Sequence, residues 1–273
     1  MPAEWENHSA VWLAWPYDET TFPKRIPIAE AVFVEMIKAV YESETVKLLV
    51  LNDEMKNHAG ALLEKAGVDV NKINFIITKF ADVWTRDYGP TFLINRLEKS
   101  LAWVKWKYNA YGKSRDPYFT PVLIDKDVFN NLALSGQKFT PGIVLEGGSI
   151  EVNGKGTLIT TEQCLLNPNR NPELGKQQIE NYLNNYLGTG KIIWLKRGIT
   201  NDHTDGHIDD IAKFINPTTI LCSYEEDEND DNFEILRDNY KTLEQMTDQD
   251  GKKFNLIKLP MPHMFYDNSE NHN

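Results

Sequence analysis

LEGGSIEVNGKGTLIT, residues 145–160, contains two short apolar runs, SIEV and TLIT, joined by NGKG. An Asn-Gly pair between alternating runs marks a β-hairpin, because its residues tolerate the backbone twist that a tight turn demands. Downstream, Pro172 is placed to open a helix reaching about Leu187, and KIIWL (191–195) follows as a buried strand. The unit is therefore strand, strand, helix, strand, entered through a polar cluster around Glu146. The same order recurs on both sides. WTRDYG (84–89) precedes TFLIN (91–95) and LAWVKW (101–106), and DGHIDD (205–210) precedes IAKFIN (211–216), a Pro-Thr turn and TILCSY (219–224). A helix over Asn232–Met246 and the strand FNLIKL (254–259) complete that last copy. Asp87 and Glu146 are 59 residues apart, and Glu146 and His207 are 61 apart. A repeat with this period that delivers a polar cluster at one fixed point gathers those clusters around a common axis.

Nearer the N-terminus, Ile28, Ala31, Val32, Met36, Ala39 and Val40 share one stripe of a helix over Ile28–Tyr41 and are expected to face the core, with VKLLVL (46–51) as the strand that follows. After FNLIKL the repeat calls for another cluster and hairpin. The remaining MPHMFYDNSENHN (261–273) has no apolar run to build two buried strands. The fold class is α/β, a single domain over 1–273 that is incomplete at its C-terminus.

Twenty-nine Lys and Arg against 40 Asp and Glu give a net charge of −11, which removes the basic surface that nucleic acid or an anionic membrane requires. Two cysteines, Cys164 and Cys222, stand without Cys-x-x-Cys or Cys/His spacing, so neither a disulfide framework nor a structural zinc site is expected. The N-terminal segment has no basic region followed by an apolar run. A reducing, cytoplasmic setting is the expectation.

Asp87, beside Trp84 and Arg86, suits a planar cation held by a carboxylate below an aromatic face; an Asp87–Arg86 ion pair or a turn cap is the plainer reading. Glu146 precedes Gly147 and Gly148, where backbone can approach a ligand closely or simply form a bulge. In DHTDGHIDD (202–210), His203, Asp205, His207 and Asp209 alternate, so an extended backbone would put all four on one face. That face would bind a metal or run acid/base chemistry on His207, and spacing alone does not separate the two. Cys164, at a strand end before a turn-rich run, and Cys222, in a strand core, read as buried small hydrophobes.

Taken together, MPAEWENHSAVWLAWP, ADVWTRDYGP, LEGGSIEVNGKGTLITTEQCLLNPNRNP and TDGHIDDIAKF resemble the agmatine deiminase family, relatives of the bacterial peptidylarginine deiminases in the guanidine-modifying superfamily. The resemblance runs in order from residue 2 to about Pro262. It implies a pseudo-fivefold α/β propeller of ββαβ modules and hydrolysis of agmatine to N-carbamoylputrescine and ammonia, a step in putrescine synthesis, without metal or organic cofactor. By motif match, Asp87 and Asp209 would clamp the guanidinium, His207 would be the general acid/base, Glu146 would support the site and Trp84 would line it. Peptidylarginine, or guanidinium binding without catalysis, are the alternatives. Family members commonly form homo-oligomers. The family's nucleophilic Cys belongs to a glycine-rich C-terminal segment absent from these 273 residues, and neither Cys164 nor Cys222 matches it. The chain as given is therefore expected to be nearly inactive.

Overall fold

A computed structural model describes residues 1–262, so the stretch 263–273, and with it most of the tail from which two strands are expected to be missing, lies outside the described residues. The chain runs β1 (Ala10–Ala14), α1 (Ile26–Val40), β2 (Thr45–Val50), α2 (Asp53–Lys65), β3 (Ile73–Ile77), α3 (Thr85–Tyr88), β4 (Thr91–Asn95), β5 (Ser100–Val104) and β6 (Gln137–Phe139). It continues β7 (Glu151–Val152), β8 (Thr157–Thr161), α4 (Glu162–Leu165), α5 (Lys176–Leu187), β9 (Lys191–Leu195), β10 (Ala212–Asn216), β11 (Thr219–Tyr224), α6 (Phe233–Gln245) and β12 (Asn255–Pro260). The α/β class holds. The described residues form four small three-stranded sheets.

Three sheets repeat one plan. In β4-β5-β6, β7-β8-β9 and β10-β11-β12 the first strand runs antiparallel to the second and the third returns parallel to it. The hairpin at 153–156 closes as the Asn-Gly signal requires: Asn153 Oδ1 accepts from the N–H groups of Lys155 and Thr157 at 2.9 and 3.0 Å. The crossover from β8 to β9 is α5, whose Ile179, Leu183 and Leu187 bury against Leu158 and Leu145. It starts at Lys176 rather than Pro172, because Asn167–Asn171 is occupied by turns that serve the site. In the last sheet α6 lays Leu236 and Leu243 over Ile193, Phe214 and Ile220. Between β5 and β6 the crossover carries a 3-10 run, Pro121–Asn130, instead of an α-helix. The first sheet differs, with β1, β2 and β3 all parallel.

The stripe assigned to α1 is corrected. Ala29, Val34 and Ile37 are the buried positions, and Val34 and Ile37 pack with Leu63 of α2 and Val46, Leu48 and Val50 of β2. Ile28, Val32 and Met36 are 63, 53 and 44% exposed, and Ala31 and Ala39 are exposed too. The helix is apolar nearly all round, so periodicity alone offers two faces. The sheet covers the one whose side chains interlock with α2.

Candidate active site

Each polar cluster sits on a short helical turn just before the first strand of a repeating sheet. Asp87 lies in α3 ahead of β4, Glu146 precedes a 3-10 turn at Gly147–Ser149 ahead of β7, and His207 precedes another at Ile208–Asp210 ahead of β10. The Gly147–Ser149 turn packs against both of the others. His207 Nδ1 stands 3.7 Å from Asp87 Oδ1 and 3.9 Å from Asp209 Oδ1, while its Nε2 faces Glu146 Oε2 at 3.9 Å. Gly148 N–H donates to Asp87 Oδ1 at 2.9 Å. A Cβ on Gly148 would lie 2.5 Å from His207 Nδ1 and 2.7 Å from both Asp87 Oδ1 and Asp209 Oδ2. Glycine stands there for room, with the three functional side chains converging on its Cα. The bulge alternative for Gly147-Gly148 and the Asp87–Arg86 pair both fail: Arg86 turns away to Glu4 and to the Ile150 carbonyl.

The electrostatics fit a cation. Burial pushes the Asp87 carboxyl above its ordinary range, opposed by His207, by the Gly148 N–H and by Tyr111. Burial likewise raises Asp209 to about 6, against the pull of His207 and with the repulsion of Asp87 added. Burial disfavours a charged His207, yet Cys164, Glu146 and Asp87 around it outweigh that cost and hold its pKa at about 11, so it rests as an imidazolium. Glu146 is held below its usual range, because His207 and Arg170 overcome its burial. Asp87, Asp209 and Glu146 surround the His207 imidazolium, and Arg170 is shared between Glu146 and Asp205, so acidic side chains outnumber basic ones around the Gly148 Cα.

The model of the family described as Porphyromonas-type peptidyl-arginine deiminase matches residues 1–272. The chain belongs to this family. Among relatives of this deiminase-family chain, the agmatine deiminase of Medicago truncatula is 36% identical over 276 residues, which cover 97% of this chain and 72% of the relative. The structure of the agmatine deiminase of Enterococcus faecalis superposes with a TM-score of 0.82 at 33% identity, covering 97% of this chain and 71% of that one. The C. jejuni agmatine deiminase with substrate bound gives 0.80 at 28%, covering 98% and 75%.

In this deiminase-family chain the four-residue face expected of DHTDGHIDD is not formed. Asp205 and Gly206 take φ of +65° and +88°, which reverses the backbone and breaks the alternation. Asp205 turns to Asn169 and Arg170, and His203 stacks on Phe119, 6.0 Å between centroids. Only His207 and Asp209 of the four reach Asp87. The one trio of metal-type ligands among the described residues is Glu146, Cys164 and His207, with donor atoms within 4.8 Å. Arg170 on Glu146 and the proton on His207 already fill that corner with positive charge. Trp84 is 46% exposed at the start of α3.

Sequence reasoning missed two members. Arg170 has a fully buried side chain and donates from Nε to Glu146 Oε1 at 3.1 Å and from Nη2 to the Thr204 carbonyl at 2.7 Å. A lone arginine in an Asn/Pro-rich stretch beside apolar runs is the signal that would have found it. Tyr111 donates its hydroxyl to Asp87 Oδ2 at 3.0 Å. No spacing pairs it with Asp87.

Proposed function

We propose that this chain carries the guanidine-hydrolase site of an agmatine deiminase, acting on a C–N bond of a linear amidine. The observation that carries this reading is the pair Asp87 and Asp209 flanking the Gly148 Cα, both with carboxyls raised by burial. A guanidinium stays protonated at working pH and offers paired N–H donors to two carboxylates, so its charge favours their ionised forms against burial. His207, resting protonated, is set to give its proton to the departing ammonia once a nucleophile has bonded to the guanidinium carbon, and then to take a proton from the water that displaces that nucleophile. Glu146, clamped by Arg170, holds the imidazole from its other nitrogen.

Neither thiol is a ready nucleophile. Cys164 is sealed behind His207 with its thiol raised by burial, and burial pushes Cys222 in β11 to about 12. The 273-residue polypeptide is therefore expected to bind agmatine without turning it over. The same reading takes the three repeating sheets as blades of a pseudo-fivefold propeller and places the protein in the cytoplasm, in putrescine formation, as a homo-oligomer.

Calorimetric titration with agmatine, putrescine and an arginine-terminated peptide, alongside an ammonia assay, tests this. Agmatine should bind one to one, and putrescine, lacking the guanidinium, at least about tenfold more weakly, as expected for losing charge-assisted bonds. Tighter binding of the peptide would move the substrate to peptidylarginine. Absence of agmatine binding would refute the guanidine reading, and ammonia release by the polypeptide itself would overturn the account of Cys164 and Cys222.

A further inference from the structure

We propose that Tyr111 is a positioning residue that keeps the Asp87 carboxylate ionised and aimed for the ligand, an assignment that rests on Asp87 holding a guanidinium. Its hydroxyl donates to Oδ2 at 3.0 Å while Gly148 N–H takes Oδ1 at 2.9 Å, so each carboxylate oxygen is fixed by one donor and keeps lone pairs for a cation. The backbone that brings it there is strained. Ala110, Tyr111 and Gly112 take φ of +55°, +58° and +75° in succession. Left-handed conformations are costly for residues with a Cβ and persist only where the surroundings over-determine them.

Those surroundings are specific. Asn109 Oδ1 accepts from Gly112 N–H at 2.8 Å, and Asn109 Nδ2 donates to the Asn169 carbonyl at 3.0 Å. Lys113 donates to the His203 carbonyl beyond the turn. The segment Asn167–Asn171 thus secures both ends of the site, Tyr111 through Asn169 and Glu146 through Arg170. Packing alone gives no reason for this strain, since a ring can fill the gap between Tyr108 and His207 without a hydroxyl. Burial drives the Tyr111 phenol well above its usual range, so it remains a donor.

The groups facing Asp87 are Tyr108 and Tyr111 from the β5–β6 crossover, Glu146 from the turn before β7, and His207, Asp209 and Asp210 from the turn before β10. His207 alone among them is positive. Tyr111, its ring edge-on to His207, supplies a neutral donor to the other carboxylate oxygen, Oδ2, and a hydrogen bond to the charged form lowers a carboxyl's pKa.

Tyr111→Phe separates the hydroxyl from the ring. Carbon-13 NMR titration of the Asp87 carboxyl should show it protonating about one pH unit higher in the variant, and agmatine should bind about tenfold more weakly near neutrality. The acid-side loss of binding should also begin about one unit higher. Asn109→Ala, which frees the turn and keeps the hydroxyl, should shift Asp87 in the same direction. If both variants leave the Asp87 titration superimposed on wild type, Tyr111 only packs and the inference is wrong. Should the wild type fail to bind agmatine, the guanidine reading falls, while the Asp87 titration still decides the role of Tyr111.

Discussion

At the scale of single residues, the site depends on an atom that is missing. Gly148 has no positive φ to explain its glycine, and the explanation lies in the three side-chain atoms within 2.7 Å of where a Cβ would stand. Gly148→Ala should weaken agmatine binding by about a hundredfold or more, since the added methyl displaces the His207, Asp87 and Asp209 side chains themselves. Calorimetry reads the loss, and a melting curve close to wild type would place the damage in the site and not in the fold. Binding undiminished by that methyl group would show that the ligand sits elsewhere.

At the scale of elements, α1 shows how a pattern can be right about the structure and wrong about the face. Ile37→Ala should cost about 2–5 kcal/mol in urea unfolding, because it opens a cavity between α1, α2 and β2. Val32→Ser, on the stripe the periodicity favoured, should change stability by no more than about 0.5 kcal/mol. Equal costs would put the stripe back in the core. The β-hairpins were legible because turn chemistry is local. The 3-10 run Pro121–Asn130 was not, since its place is set by Asp125, which accepts from Ala81 and Asp82 N–H groups at 2.6 and 3.2 Å across more than forty residues.

At the scale of the whole molecule, buried carboxylates tie separate sheets together and make stability depend on pH. Glu151 of β7 accepts from Phe214 N–H of β10 at 3.0 Å, and Lys213 bridges it to Glu4 in the N-terminal segment. Burial raises both Asp125 and Glu151 to about 7. An unfolded Asp sheds its proton near about 3.9, so between that value and about 7 the native state binds more protons than the unfolded one. Stability contributed by these groups therefore falls as pH rises through that window. Asp125→Asn should flatten the slope of unfolding free energy between about pH 5 and 7, with the Glu151 part remaining. An unchanged slope in urea titrations would mean that Asp125 is ionised throughout.

The sequence by itself determined the repeating unit, the hairpins, the α/β class and the three clusters that meet, because hydrophobic period and turn chemistry act over a few residues. It carried Asp87, Glu146 and His207 as candidates for the same reason, each standing a few residues before the first strand of a repeat, with Asp209 in the His207 cluster. The tertiary structure decided the rest. It chose which face of α1 is buried, broke the DHTDGHIDD alternation at Asp205-Gly206, and brought Arg170 and Tyr111 to carboxylates 24 residues away along the chain. Those outcomes depend on what packs on the far side of a residue, and a buried charge or a strained turn is tolerated only once its distant partner is in place.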